Sequence, residues 1–241
     1  MRLAERFQER IGQVYEANPV AADLMPMVLS RACVDVLDVA GAGVTMTGSM
    51  LRVPLGSSDD AAARAERLQT TLGEGPCLTA AAGEEPLAAD LSTIAHRWPT
   101  FHLEFTAQTP FRSVISIPLH ASHGTCFGAL DLYATATDLS PELSIPDITN
   151  DIAAPIAAVL FDRPPRTLDG GIALAPWLRN STVSSRMHVW VAVGMLVDHA
   201  GLTNVDALAA LRAHAFRLDM TLDEVADQLT SEDVEPATVL T

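Results

Sequence analysis

At 241 residues the chain has room for one large or two small domains, since domains commonly run to about 100–150 residues. Although 49% of the residues are apolar, no run approaches the roughly 18 uninterrupted apolar residues that a membrane span requires. The net charge of −15 excludes a generally basic nucleic-acid binder, which needs surplus cations to displace counterions from phosphates, so any such contact must come from a local patch.

The opening residues, Met1 to Arg10, are charged throughout with no apolar signal core behind them, which predicts a cytoplasmic protein with no membrane association. Cys33, Cys77 and Cys126 form no Cys-x-x-Cys pair, and an odd number so far apart points to reduced thiols rather than a disulfide framework.

Leu3, Phe7, Ile11, Val14 and Tyr15 recur at helical spacing and predict an amphipathic helix ending near Asn18-Pro19. Glu5 and Glu9 among Arg2, Arg6 and Arg10 make its outer face mixed, which favours packing on the rest of the chain or on a second copy over lying on a membrane. A second helix is expected between Pro19 and Val39, stopped by Gly41 and Gly43. Short strands follow at 43–47 and 50–55 about a turn at Gly48-Ser49, and Ser58 is placed to cap a helix over 59–71, whose acidic first turn suits the helix dipole.

Leu72-Gly73-Glu74-Gly75-Pro76-Cys77 cannot continue that helix, because two glycines raise the backbone entropy cost and Pro76 disfavours a helical residue before it. An extended piece over 86–91 and a helix over 98–107 come next. The apolar runs 113–119 and 126–133, separated by five residues containing Gly124, read as a hairpin. Pro118, with no N–H for a ladder, suits an edge, a bulge or a strand end. After a break at Pro141 to Pro146, Ile148, Ile152, Ile156 and Leu160 mark a helix that Pro155 kinks or begins.

Leu-Gly-Glu-Gly-Pro-Cys (72–77), Ala-Asp-Leu (89–91), Arg-Trp-Pro (97–99), Arg-Ser-Val (112–114) with Ile-Pro-Leu (117–119), and Gly-Ala-Leu-Asp-Leu-Tyr (128–133) resemble, in this order, the GAF sensor domains of actinobacterial regulators. The resemblance covers roughly residues 20–160. It implies an antiparallel sheet flanked by helices, with the 59–71 helix along one wall of a pocket for a small molecule or signal. Glu74, Cys77, Trp98 and Asp131 are the candidate pocket residues.

Pro164-Pro165, Gly170-Gly171 and Pro176 mark a linker over 161–183. Beyond it, Ser184 or Ser185 can cap a helix that Gly201 ends. Thr203 or Asn204 caps a second, and Thr221 with Glu224 forms a capping box for a third, leaving 234–241 as a tail. Arg186-x-x-Val189-x-x-Ala192-x-Gly194-x-Leu196, Asp206-Ala207-x-x-x-Leu211-Arg212-x-x-Ala215 and Leu222-x-x-Val225-Ala226 resemble the ANTAR domain, a three-helix RNA-binding module of transcription antitermination regulators. This second resemblance implies an RNA stem-loop partner and, with the first, a homodimer.

The candidate RNA contacts are Arg186, Trp190, Arg212, His214 and Arg217, with Phe216 a further ring able to stack on a base. From 181 onward the basic residues are Arg186, Arg212 and Arg217, amid acids from Asp198 to Glu235. RNA binding therefore predicts clustered arginines, and scattered ones favour a rival in which the helices dock on protein. A cysteine-based reductase would need Cys77 and Cys126 within disulfide reach beside a polar pocket. His120-x-x-His123-x-x-Cys126 has metal-like spacing but supplies three local ligands where a structural zinc takes four. The expected chain is thus α+β: a GAF-like domain over 1–160, the linker, and a three-helix bundle over 184–233. No enzyme, cofactor or metal is expected.

Overall fold

A computed structural model describes residues 2–17, 24–47, 52–137, 144–161 and 181–240, without the side chains of Tyr15 and residues 181–186. The expected stops at Asn18-Pro19, Gly48-Ser49 and Pro141, and linker residues 162–180, lie outside the described residues.

Helix α1 (Leu3–Ala17) buries Phe7 completely and packs on α2 (Met25–Leu37). Two of its arginines tie the pair together: Arg6 Nη2 donates to Val36 O at 2.9 Å and Arg10 Nε to Asp35 at 2.6 Å. Asp38 ends α2 by turning left-handed, with φ 54°, so that its N–H reaches Val34 O. Gly41 and Gly43 therefore do not stop the helix, contrary to expectation. They lie in strand β1 (Gly41–Thr47), where a Cβ on Gly41 would stand 2.7 Å from Phe111 Cζ.

With β2 (Arg52–Ser57), β3 (Leu87–Asp90), β4 (Ser113–His120) and β5 (Cys126–Ala134), β1 forms an antiparallel sheet in the order β2-β1-β5-β4-β3. Successive side chains alternate between faces. One face, with Ala42, Val44, Ile115, Ile117, Leu119, Leu130 and Leu132, packs on α1, α2 and the helix after β5. The other carries Val114 and Tyr133 toward Phe101, Phe105, Phe111 and Trp98. Burial on both faces explains why β4 and β5 read as unbroken apolar runs. Pro118 pairs only with Ala129 of β5, because β3 reaches no farther along β4 than Ser116, and an irregularity follows at Leu119/His120.

Helix α3 (Asp60–Leu72) is capped by Asp59, whose carboxylate accepts the Ala62 N–H at 2.8 Å; Ser58, one residue earlier, uses its hydroxyl to accept from Ala42 instead. Helices α4 (Pro76–Gly83), α5 (Leu91–Arg97) and α6 (Pro99–Gln108) cover the same face. The sequence predicts an extended piece over 86–91 where α5 begins; Asp90 caps this helix with a 2.7 Å bond from Thr93 N.

From Ile145 the chain runs helically through Pro155. Between α7 (Ile145–Ile148) and α8 (Ala154–Phe161) residues Thr149–Ala153 form a π-turn. A proline ring clashes with the carbonyl four residues back and removes an N–H, and widening the preceding turn accommodates both.

The C-terminal helices are α9 (Ser181–Ala200), α10 (Asn204–Arg217), α11 (Leu222–Thr230) and the short α12 (Pro236–Val239). Gly201, with φ 65°, ends α9 as expected, Thr203 caps α10, and both arms of the Thr221–Glu224 capping box form. Two expectations need correction. α9 starts at Ser181, ahead of Ser184, and residues 234–241 are not simply a tail, because Val239 of α12 is 3% exposed in a core with Val189, Leu196, Leu211, Val225 and Leu229. Ala192 and Ala207 are buried packing positions, whereas Gly194 faces open space. The whole is α+β: a five-stranded antiparallel sheet flanked by helices, followed by a helical region.

Candidate functional site

The register of the sheet assembles a polar row on the face under α3. Gly43, Asp131 and Ser116 stand abreast on β1, β5 and β4, and Tyr133 follows Asp131 on the same face. From above, α3 lowers Glu66 and Gln69 onto this row. Gly43 admits Glu66, since a Cβ there would lie 2.3 Å from Glu66 Oε1.

Asp131, Glu66, Gln69, Thr45, Ser116, Cys77 and Tyr133 are all 0% exposed. Gln69 organises them: its Nε2 donates to Asp131 Oδ2 at 2.6 Å and to Tyr133 Oη at 3.1 Å, while its Oε1 accepts from Cys77 N at 2.8 Å. Tyr133 Oη donates to Glu66 Oε1 at 2.7 Å, and Thr45 Oγ1 donates to Glu66 Oε2.

Burying carboxyl groups disfavours their charged form. Glu66 is pushed well above the ordinary carboxyl value by burial and then by the neighbouring charge of Asp131. Burial pushes Asp131 up as well. The Cys77 thiol is raised by burial first, then by Asp131 and Glu66. Donor atoms of Glu66, Cys77 and Asp131 lie within 4.8 Å of one another, and they form the one such group of three potential metal ligands among the described residues.

Of the residues expected in the pocket, Cys77 and Asp131 meet here. Glu74 and Trp98 do not. Glu74 Oε1 accepts the Phe101 N–H at 3.0 Å and so caps α6, and Trp98 packs in the aromatic cluster with Arg97 4.7 Å above its ring. His120, His123 and Cys126 do not converge on a metal position, and His120 instead approaches Glu84 at 3.6 Å. Cys77 and Cys126 share a small apolar cluster with Ala81 and Ala129, and both are free thiols.

Glu66, Gln69, Thr45, Ser116 and Tyr133 escaped the sequence reading. A signal was present: Asp131 is the sole charged residue of the run 126–134, and Ala62, Ala65, Glu66 and Gln69 share the inner side of α3.

The C-terminal helices rest on the same α3. The Thr71 hydroxyl accepts from Leu222 N at 3.4 Å, and the Cβ position of Gly73 is 2.8 Å from Arg212 Cζ. Trp190 and Arg212, with Val189, Leu208 and Leu222, line a narrow gap against Arg52 and Thr70. His214 and Arg217 lie apart from it; Arg217 Nη2 donates to His214 Nδ1 at 2.8 Å, and burial followed by the Arg217 charge lowers the imidazole pKa. Two of the candidate RNA contacts are thus together against the sheet domain and two are elsewhere. Phe216 is exposed, and Arg186 is described only as part of α9. Beside this junction, a cavity of about 790 Å³ opens between Arg64 and Arg67 of α3, Glu104 of α6 and the Met220–Glu224 corner.

A family model described as the GAF domain matches residues 9–145. The chain belongs to the GAF domain family. Solved structures similar to it include the GAF domain of an Acinetobacter phosphoenolpyruvate-protein phosphotransferase, with 12% identity, 66% of this chain and 93% of that chain covered, and a TM-score of 0.46. A putative GAF sensor protein from Burkholderia vietnamiensis shows 21% identity over 65% of this chain and 90% of its own, with a TM-score of 0.43. The GAF domain of the Coxiella burnetii phosphoenolpyruvate-protein phosphotransferase shows 13% identity over 64% and 92%, also at 0.43. No curated protein matches the chain. The polar row thus lies within the GAF domain, and α3 connects it to the C-terminal helices. Among the described residues no helix is long and apolar enough to cross a membrane.

Proposed function

We propose that this protein is a signal-responsive transcription antitermination regulator of the cytoplasm. Its GAF domain senses a small molecule or other signal, and its C-terminal helices, ANTAR-like in their motifs, bind a stem-loop of a nascent transcript. The supporting observation is the docking of Trp190 and Arg212 against Arg52 and Thr70 of the GAF domain. In this arrangement the two side chains best suited to base stacking and phosphate contact are half-buried. A signal that binds the released arrangement more tightly exposes them, whereas equal affinity for both arrangements shifts nothing. The family resemblance adds a homodimer.

A second reading, in which the helices act through protein contacts without RNA, is favoured by the separation of Arg217, paired with His214, from Arg212. The proposal includes no catalytic step. A cysteine-based reductase draws on a thiol of lowered pKa, whereas burial raises that of Cys77.

The deciding experiment is retention of structured RNA transcripts from a pool at low and near-physiological salt. Selective retention that falls steeply with salt and weakens in Arg212→Ala supports antitermination. No retention at low salt sinks it and leaves protein contacts.

A further inference from the structure

The buried row holds two carboxyl groups and a thiol with no cationic side chain among its hydrogen-bond partners. Asp131 Oδ1 has no partner of hydrogen-bonding geometry, although its other oxygen is well bonded and the Glu66 carboxyl stands close to it. Ser116, abreast of Asp131 and fully buried, sits against the same carboxyl. Its Oγ likewise has no partner of hydrogen-bonding geometry. Native interiors rarely leave such atoms unpartnered, and those that occur call for an ion or another occupant.

From this geometry we infer that Glu66, Cys77 and Asp131 form a binding site for a divalent transition-metal cation. One thiolate with two carboxylates suits a borderline cation such as Zn²⁺, Fe²⁺ or Co²⁺ rather than Mg²⁺ or Ca²⁺, which take oxygen ligands. A tetrahedral shell at about 2.0–2.3 Å puts its donors about 3.3–3.8 Å apart. The present donors lie within 4.8 Å of one another, so closing on a cation shortens their separations by at most about 1.5 Å. Binding replaces the protons of the ligands by the metal. Three protein donors leave a fourth position for water or for Ser116 Oγ, and the cation gives Asp131 Oδ1 the partner it lacks.

The rest of the network holds the ligands in place. Gln69 fixes the Asp131 oxygen and the Cys77 backbone together, and Thr45 and Tyr133 orient Glu66. Such supporting bonds commonly change metal affinity by about 10–100-fold when removed. Because α3 carries Glu66 inward and Thr71 toward Leu222, metal occupancy and the seating of α11 act on one helix. The site does not depend on RNA binding and fails or stands separately from it.

The test uses the full chain stripped with a chelator and titrated with Co²⁺. Expected are one equivalent bound and a thiolate-to-cobalt charge-transfer band, lost in Cys77→Ser and kept in Cys126→Ser. Asp131→Asn, checked for folding by circular dichroism, should weaken uptake ~tenfold or more. Wild-type protein that takes up no cobalt, or a band that survives in Cys77→Ser or moves with Cys126→Ser, overturns the site.

Discussion

Glu66 reaches the sheet only because Gly43 has no side chain: a Cβ at 43 would lie 2.3 Å from Glu66 Oε1 and 2.5 Å from Cδ. The carboxyl is not the free end of a flexible chain, since Thr45 and Tyr133 hold its two oxygens. Gly43→Ala must therefore displace α3 or break those bonds. Overpacking of this kind costs about 1–3 kcal/mol. A urea midpoint equal to that of the wild type would show that the row tolerates the methyl group.

That relationship marks where the sequence stops being readable. Order and type of most elements followed from periodicity, caps and turn residues: Gly201, Thr203 and the Thr221–Glu224 box each act at the expected position. Gly41 and Gly43 were misread as helix breakers because nothing local distinguishes a glycine that ends a helix from one that makes room for a side chain 23 residues on, as Gly43 does for Glu66. Asp131 and Cys77 were legible through their motifs. Glu66 needed the register of β1 and β5 beneath α3, which is a long-range property. Glu74 lies inside the most distinctive motif, yet its carboxylate caps α6, so motif membership alone did not place a residue at the site.

The buried acids set a pH dependence. Glu66 has a folded value above its ordinary one, so the native state keeps a proton that the unfolded chain has already released. Stability from this group is complete below the ordinary carboxyl range and falls as pH rises toward the folded value. Asp131 acts in the same sense, while Cys77 and Tyr133 on neighbouring elements are themselves raised, and Arg52 opposes the rise of Cys77. Metal-free wild type should lose stability as pH rises above the ordinary carboxyl range, and Glu66→Gln should flatten that slope. Parallel slopes in urea unfolding would remove Glu66 as the cause.

His214 titrates in the opposite sense. It is 3% exposed, and its Nδ1 accepts from Arg217, which fixes the neutral ring with its proton on Nε2. Burial, then Arg217, depresses its pKa. The stability it contributes is present above the ordinary histidine range and is lost as pH falls through its folded value. Arg217→Ala removes the nearby positive charge and should raise the His214 pKa, read directly by proton NMR titration of the ring. A value unchanged or lowered in the variant would mean that burial alone governs it.

Thr71 makes a hydrogen bond across the junction between the sheet domain and the C-terminal helices. Leu222 is the first residue of α11, and its N–H has no partner within that helix. The hydroxyl of Thr71 accepts it across the junction. Thr71→Val keeps the shape and removes the acceptor, and an unsatisfied buried donor costs about 1–3 kcal/mol. Amide exchange should therefore quicken at Leu222 and around Arg212, with α3 itself unaffected below Gln69. Gly73→Val should act more strongly, because its left-handed backbone, φ 74°, resists a branched residue and its side chain would meet the Arg212 guanidinium. If undocking exposes an RNA-binding face, both variants bind stem-loops more tightly than the wild type, in the order Gly73→Val over Thr71→Val. Faster exchange without any gain in RNA retention would leave the docking real and its output a protein contact.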